Sequence, residues 1–307
     1  MCFKTQAKAT DPIMLPTFMG IGAPKAGTTW LYHCLREHPD IFMTSVKETR
    51  FFDYGTIDGR MAEYHAHFAG SGRYAVRGEF STRYLTSCRA PQRIQHHLPD
   101  IRLIVAVRNP VEQVYSHYWH LVRQNFHQWH HDCLPHSFEA ALKQYPEALL
   151  EPASYDKHLQ RWQQYFDASQ LLILFYEDIC RQPQDILQTV YSFLGAEPDV
   201  KPPSLQAHNS SVRRGASPRT AGLGQLYALL YGVWSRHIAY RCKQYLGTRT
   251  VARLQDRLKL RIWAEFVFMH PGYPSMQPDT RARLRAFFEP DIRGLSERTG
   301  RDLSHWQ

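Results

Sequence analysis

Pro16-Thr-Phe-Met-Gly-Ile-Gly22, Ala23-Pro-Lys-Ala-Gly27 and Thr28-Thr-Trp-Leu-Tyr-His-Cys-Leu35 follow one another without a break. The first is a short apolar run, the second a cluster of small and turn-forming residues, and the third takes up helical spacing. Together they predict a strand, a tight loop and a helix. Small residues in such a loop let backbone N–H groups approach an anion, the helix N-terminus adds partial positive charge, and Lys25 adds a full one. The loop suits a phosphate-like group. It is not a Walker A motif, because G-x-x-x-x-G-K-[ST] places its lysine after the second glycine, whereas Lys25 precedes Gly27, the only loop glycine.

Ile101-Arg-Leu-Ile-Val-Ala-Val107 is a nearly continuous β-branched run of the kind buried on both faces of a parallel sheet, and Arg108-Asn-Pro110 with a further helix follows it. Leu171-Leu-Ile-Leu-Phe175 is a third strand, and Ile41 to Thr44 and Tyr74 to Phe80 are weaker ones. Helical patterns lie near Met61 to Phe68, Ser137 to Leu149 and Tyr155 to Phe166. Strands alternating with helices imply right-handed crossovers and a mostly parallel sheet covered by helices. From Lys201 to Ser217 the composition turns to Pro, Ser, Asn and Arg and reads as a loop. Helices are expected at about Gly222 to Tyr245 and Val251 to Phe268, with a terminal one from Asp279.

At 307 residues and 43% hydrophobic, the chain can bury one large core, and a single α/β domain over residues 1–307 is expected. A net charge of +9 points to anionic partners without choosing among them. Six scattered cysteines, Cys2, Cys34, Cys88, Cys133, Cys180 and Cys242, form no C-x-x-C, so neither a zinc site nor a disulfide framework is indicated. Met1 to Pro16 lacks the apolar core of a signal peptide. The longest nearly uncharged stretch, about Ala221 to Ser235, is shorter than the roughly 18 to 20 residues that cross a bilayer. A soluble, cytoplasmic protein with reduced thiols is the expectation.

Pro24 to Leu31 resembles the 5′-phosphosulfate loop P-K-[SA]-G-T-[ST]-x-L of the sulfotransferases that use 3′-phosphoadenosine 5′-phosphosulfate (PAPS). Further matches keep that family's order across nearly the whole chain. Arg108-Asn-Pro-Val-Glu-Gln-Val-Tyr-Ser116 looks like its 3′-phosphate motif, in which an arginine at a strand end and a serine eight residues later grip the phosphate. Phe175-Tyr-Glu-Asp-Ile179 and Tyr191-Ser-Phe-Leu-Gly195 look like the family's Y-E-D and F-L-G segments, and Phe287 through Trp306 resembles the ending of bacterial members. The resemblance implies a P-loop-like three-layer fold, with residues of about 222–275 as a helical extension shaping the acceptor side. It implies PAPS as donor and 3′-phosphoadenosine 5′-phosphate (PAP) as product, held by Lys25, Ala26, Gly27, Thr28, Thr29, Trp30, Arg108, Ser116 and Tyr176. Arg213 and Arg214 match nucleotide-contacting positions, a role for which Arg219 competes with them.

Read from chemistry alone, Arg108 agrees with that role: it emerges at the carboxyl end of a buried parallel strand and offers phosphate a planar fork, to which Ser116 adds a hydroxyl. Lys47-Glu-Thr-Arg-Phe-Phe-Asp53 resembles the E-x-x-F-F segment of heparan sulfate sulfotransferases and bacterial relatives, whose glutamate removes the acceptor proton. Glu48 is the corresponding base, and Lys25 and Glu48 form the expected catalytic pair. Glu79 and the 17 histidines are its rivals. His97 superficially resembles the catalytic histidine of the cytosolic small-molecule sulfotransferases, but it precedes the Ile101 strand, at the end away from the nucleotide. Heparan-type enzymes commonly carry G-E-K-[ST]-P, whereas this chain has Gly78-Glu-Phe-Ser-Thr-Arg-Tyr84, which puts a heparan-like acceptor in doubt.

No metal is expected: the histidines at 117, 120, 127, 130, 131 and 136 have no partner carboxylate pattern and read as solvated or packed. Arg236 to Arg261 is basic, with Asp256 its one acid, and reads as a solvated helix face that could touch a membrane surface. A P-loop nucleotide kinase would need a lysine after the loop glycine and a Mg²⁺-binding acid at a strand end, and neither is seen. A nucleic-acid partner is not expected either, for want of a binding motif. The acceptor expected is a small molecule, such as a natural product or a glycolipid precursor, sulfated on a hydroxyl or an amine.

Overall fold

The architecture comes from a computed structural model that describes residues 14–57, 59–124, 135, 137–205, 216–218, 269–271 and 273–306. The chain runs β1 (Phe18–Gly22), α1 (Thr28–Arg36), β2 (Ile41–Met43), α2 (Met61–Ala66), β3 (Val76–Phe80), α3 (Ala90–His97) and β4 (Arg102–Val107). It continues through α4 (Pro110–Gln124), α5 (Phe138–Gln144), α6 (Pro146–Leu150), α7 (Tyr155–Trp162), β5 (Leu171–Phe175), α8 (Tyr176–Arg181) and α9 (Pro183–Leu194). Two short strands, β6 (Ala216–Pro218) and β7 (Met269–Pro271), precede the terminal helix α10 (Pro278–Thr299).

The contacts divide the molecule into two compact units, the first comprising Met1–Arg108, Ser154–Ser210 and Asp291–Leu303, the second the remaining segments. The first unit holds a five-stranded, fully parallel sheet in the order β2-β3-β1-β4-β5. Strand β1 sits at its centre with all five residues buried, as its apolar sequence requires. Gly20 pairs with Phe80 across β1 and β3, and a Cβ at Gly20 would lie 2.0 Å from the Phe80 ring, so only glycine fits. From β1 the chain crosses to β2 at one edge of the sheet and from β4 to β5 at the other, so the direction of winding reverses between β1 and β4, and ligands bind at such a switch point outside the carboxyl ends of the strands.

In the second unit, α5 starts at Ser137, whose hydroxyl accepts from the Ala140 N–H at 3.3 Å. The single helix expected over Ser137 to Leu149 is two helices, α5 and α6. Pro146 explains the break: it has no N–H to donate and forces the preceding residue, Tyr145, out of the helical region to φ −132°, ψ 52°. Strands β6 and β7 pair antiparallel, Ser217 opposite His270; β6 begins at the end of the Lys201 to Ser217 stretch read as a loop, and β7 follows the helix expected at Val251 to Phe268. The helices expected between 222 and 268 and the basic 236–261 stretch lie outside the described residues. Among the described residues no helix is long and apolar enough to cross a membrane.

Candidate active site

Parallel strands deliver their carboxyl ends to one edge of the sheet, and four neighbours deliver chemistry there. Strand β3 leads into Ser81–Tyr84, β1 into the Lys25 loop, β4 into Arg108 and β5 into Tyr176. Neighbouring strands lie about 4.8 Å apart, so these groups form a row rather than a scatter.

The Lys25 loop is a backbone device. Lys25 adopts φ 65° and Gly27 φ 88°, two left-handed residues that turn the chain sharply from strand into helix. Gly27 is the N-cap of α1 and carries no side chain to satisfy the first-turn N–H groups, which point out of the helix end. A Cβ at Gly27 would lie 3.2 Å from Tyr176 Cδ2. Ala26 and Thr28 are buried and Thr29 is exposed. The Trp30 indole donates to the Ser204 carbonyl at 3.1 Å, tying α1 to the segment that leads toward 213 and 214. Arg213, Arg214 and Arg219 themselves lie outside the described residues.

Arg108 reaches back over this loop, its Nη1 donating to the Lys25 carbonyl at 3.5 Å while its guanidinium carbon lies 4.7 Å from the Tyr176 ring centroid. Lys25, Gly27, Arg108 and Tyr176 are thus one cluster. Burial pushes the Tyr176 hydroxyl up to about 12 against the pull of the Arg108 charge, so it is a neutral hydroxyl at neutral pH. Ser116 lies buried on α4, in the second unit.

Glu48 is held at the end of β3. Its N–H donates to the Phe80 carbonyl at 2.7 Å. Its Oε2 accepts from the Thr82 N–H at 2.9 Å, and its Oε1 from the Thr82 hydroxyl at 3.0 Å and Lys47 Nζ at 2.8 Å. The side chain is 24% exposed, which leaves it reachable. Glu79 is different: it has no exposed surface and accepts from the hydroxyls of Thr49, Tyr64, Ser81 and Tyr84. His97 ends α3, on the connection into the amino end of β4, and packs 6.3 Å from the Phe52 ring. Arg83 turns to Asp53 at 3.4 Å and lies over the Tyr54 ring.

His117 and His120 share a face of α4 with ring centroids 6.5 Å apart, while 127, 130, 131 and 136 lie outside the described residues. Among the described residues no group of three or more His, Cys, Asp and Glu side chains could hold a metal ion. Sequence reading missed Thr82 and the hydroxyl cage of Glu79. The available signal was Glu79 itself, since a carboxylate in a strand of a buried sheet requires partners.

A model of the sulfotransferase domain matches residues 16–214. The bifunctional heparan sulfate N-deacetylase/N-sulfotransferase 4 of Mus musculus is 30% identical over 199 residues, covering 60% of this chain and 23% of that protein. The corresponding enzyme 3 of Homo sapiens is 30% identical over 203 residues, again covering 60% and 23%. The chain therefore matches less than a quarter of the length of these relatives. The crystal structure of a sulfotransferase from Alicyclobacillus acidocaldarius superposes with a TM-score of 0.65 at 23% identity, over 96% of this chain and 99% of that one, which shows a shared fold. The matched span begins before β1, takes in all five strands of the parallel sheet and covers more than half of the sequence, and the chain belongs to the sulfotransferase family.

Proposed function

We propose that the chain moves a sulfuryl group from PAPS to a hydroxyl or amino group of a small acceptor, such as a natural product or a glycolipid precursor. The observation that carries this reading is the row along the sheet edge: a reachable carboxylate at β3, a cationic anion-binding loop at β1, and an arginine at β4 that touches that loop. Family membership supplies the reaction class and, by resemblance, the donor.

In this reading Lys25, Thr28, Thr29 and the α1 N-terminus hold the 5′-phosphosulfate. Arg108, with Tyr176 beside it, holds the 3′-phosphate, and the resemblance assigns Ser116 to the same phosphate. Oε2 of Glu48 accepts from one donor and Oε1 from two, so Oε2 keeps room for the acceptor proton. As the acceptor oxygen or nitrogen bonds to sulfur, Glu48 takes the proton and the bond from sulfur to the bridging oxygen breaks. Lys25 and the helix N–H groups stabilise the charge that gathers on the leaving phosphate. Fixed positioning on the sheet edge accounts for much of the acceleration.

Mass spectrometry of a cell extract incubated with the protein and PAPS tests this directly. Products heavier by about 80 mass units, formed only with both components, are expected. An extract with no such product would count against a small acceptor.

A further inference from the structure

The cage around Glu79 serves no step described so far. Its Oε1 accepts from Tyr64 Oη at 3.0 Å and Tyr84 Oη at 3.1 Å, and its Oε2 from Ser81 Oγ at 3.1 Å and from Thr49 Oγ1. An ionised carboxylate only accepts, and each hydroxyl has one proton to give. A hydroxyl that donates to Glu79 therefore turns its lone pairs elsewhere. Two of the four turn them to the backbone just beyond Glu48: Ser81 Oγ accepts from the Arg50 N–H at 3.0 Å and Tyr84 Oη from the Phe52 N–H at 3.3 Å. A third hydroxyl belongs to Thr49, the neighbour of Glu48. Burial raises the Glu79 carboxyl above its ordinary value against the pull of these hydroxyls, and it also raises Tyr64 and Tyr84, which stay protonated donors.

The segment gripped in this way needs an external hold. Glu48 at φ 69° and Arg50 at φ 54° are left-handed residues with side chains, a conformation that persists only where surroundings impose it. We infer that Glu79 is a positioning residue, which fixes the left-handed turn at 48–50 through Thr49, Ser81 and Tyr84 and thereby aims Glu48 at the acceptor. The inference rests on the reading of Glu48 as base. Glu79, with no exposed surface, reaches no substrate itself.

The test uses the full chain and PAPS with water as acceptor, so that sulfate and PAP are the products and the water proton goes to Glu48. Turnover is compared for Glu79→Gln, Thr49→Val, Thr49→Ser, Glu48→Gln and the Glu48→Gln/Glu79→Gln pair, alongside amide hydrogen exchange of a peptide covering residues 46–52. Glu79→Gln and Thr49→Val are expected to lower kcat about 10- to 100-fold, leave the KM for PAPS within about twofold and speed exchange in that peptide. Thr49→Ser keeps the hydroxyl and retains turnover. In the Glu48→Gln background, Glu79→Gln adds no further loss. Equal loss in both backgrounds, or unchanged exchange over 46–52, overturns the inference. Should Glu79→Gln fail to fold, the Thr49 pair decides: equal turnover in the Val and Ser variants overturns it. Unchanged turnover in Glu48→Gln alone removes the base assignment, and the exchange data then still decide whether Glu79 holds the turn.

Discussion

At the carboxyl end of β1 a single contiguous stretch, Ala23 to Thr29, supplies the loop, its left-handed residues and the helix N-terminus. At the end of β3, by contrast, Glu48 is held by Lys47, Thr82 and the Phe80 carbonyl, and its turn by side chains from α2, β3 and the turn that follows. The first arrangement is local and made of backbone. The second is assembled from distant segments and depends on side-chain hydroxyls and carboxylates. The donor side should therefore yield mainly to changes that alter backbone shape or a charge, and the acceptor side to changes that keep size and remove one proton-bearing or proton-accepting atom.

The sharpest break is Glu48→Gln. Glutamine keeps the size and much of the hydrogen bonding but cannot take a proton, so turnover is expected to fall about 100- to 10,000-fold with PAP binding intact. The loss is smaller if nitrogen is the acceptor atom, because a neutral amine is the better nucleophile. Steady-state rates with calorimetry of PAP binding check this, and turnover above about a third of wild type would move the base elsewhere. On the donor side, Lys25→Ala removes a charge that matters most as the leaving oxygen gains its own. A loss of about 100- to 1,000-fold in kcat is expected, with a smaller loss in PAP affinity. Near-normal turnover at saturating PAPS would end that role.

Arg108→Ala separates the two phosphates of the donor. PAP affinity is expected to fall about 10- to 100-fold by calorimetry, as for losing a charge-assisted hydrogen bond, while 5′-AMP affinity falls less, through the lost Arg108 contact to the Lys25 carbonyl alone. The mildest change tests the backbone character of the loop. Gly27→Ala places a Cβ 3.2 Å from Tyr176 at φ 88°, and the strain of a left-handed alanine should lower the melting temperature by roughly 2–4 °C. A melting temperature unchanged in calorimetric scans would show that this loop relaxes more easily than its geometry implies.

The same contrast explains what could be read in advance. The five parallel strands follow from apolar runs whose residues are neighbours in sequence, and the Lys25 loop and Arg108 follow from punctuation at the ends of those runs. Glu48 was singled out through its E-x-x-F-F context. Its supports were not, because Tyr64, Glu79, Ser81 and Tyr84 meet across segments, and no local spacing records which hydroxyl gives its proton to which carboxylate. Glu79 reads as a rival base until its burial is known. The break at Tyr145-Pro146 was legible in principle, since proline and its effect on the preceding residue are local, but the apolar periodicity on either side of it masks the interruption.

The central claim is the proposal that Arg108 reads the 3′-phosphate of an adenosine nucleotide whose 5′-phosphate lies on the Lys25 loop. Isothermal titration of the unmodified chain with PAP and, separately, with 5′-AMP tests it most directly. The account predicts that PAP binds more tightly by about 10- to 100-fold, the contribution expected of charge-assisted contacts to one phosphate. Equal affinities for the two nucleotides would contradict it.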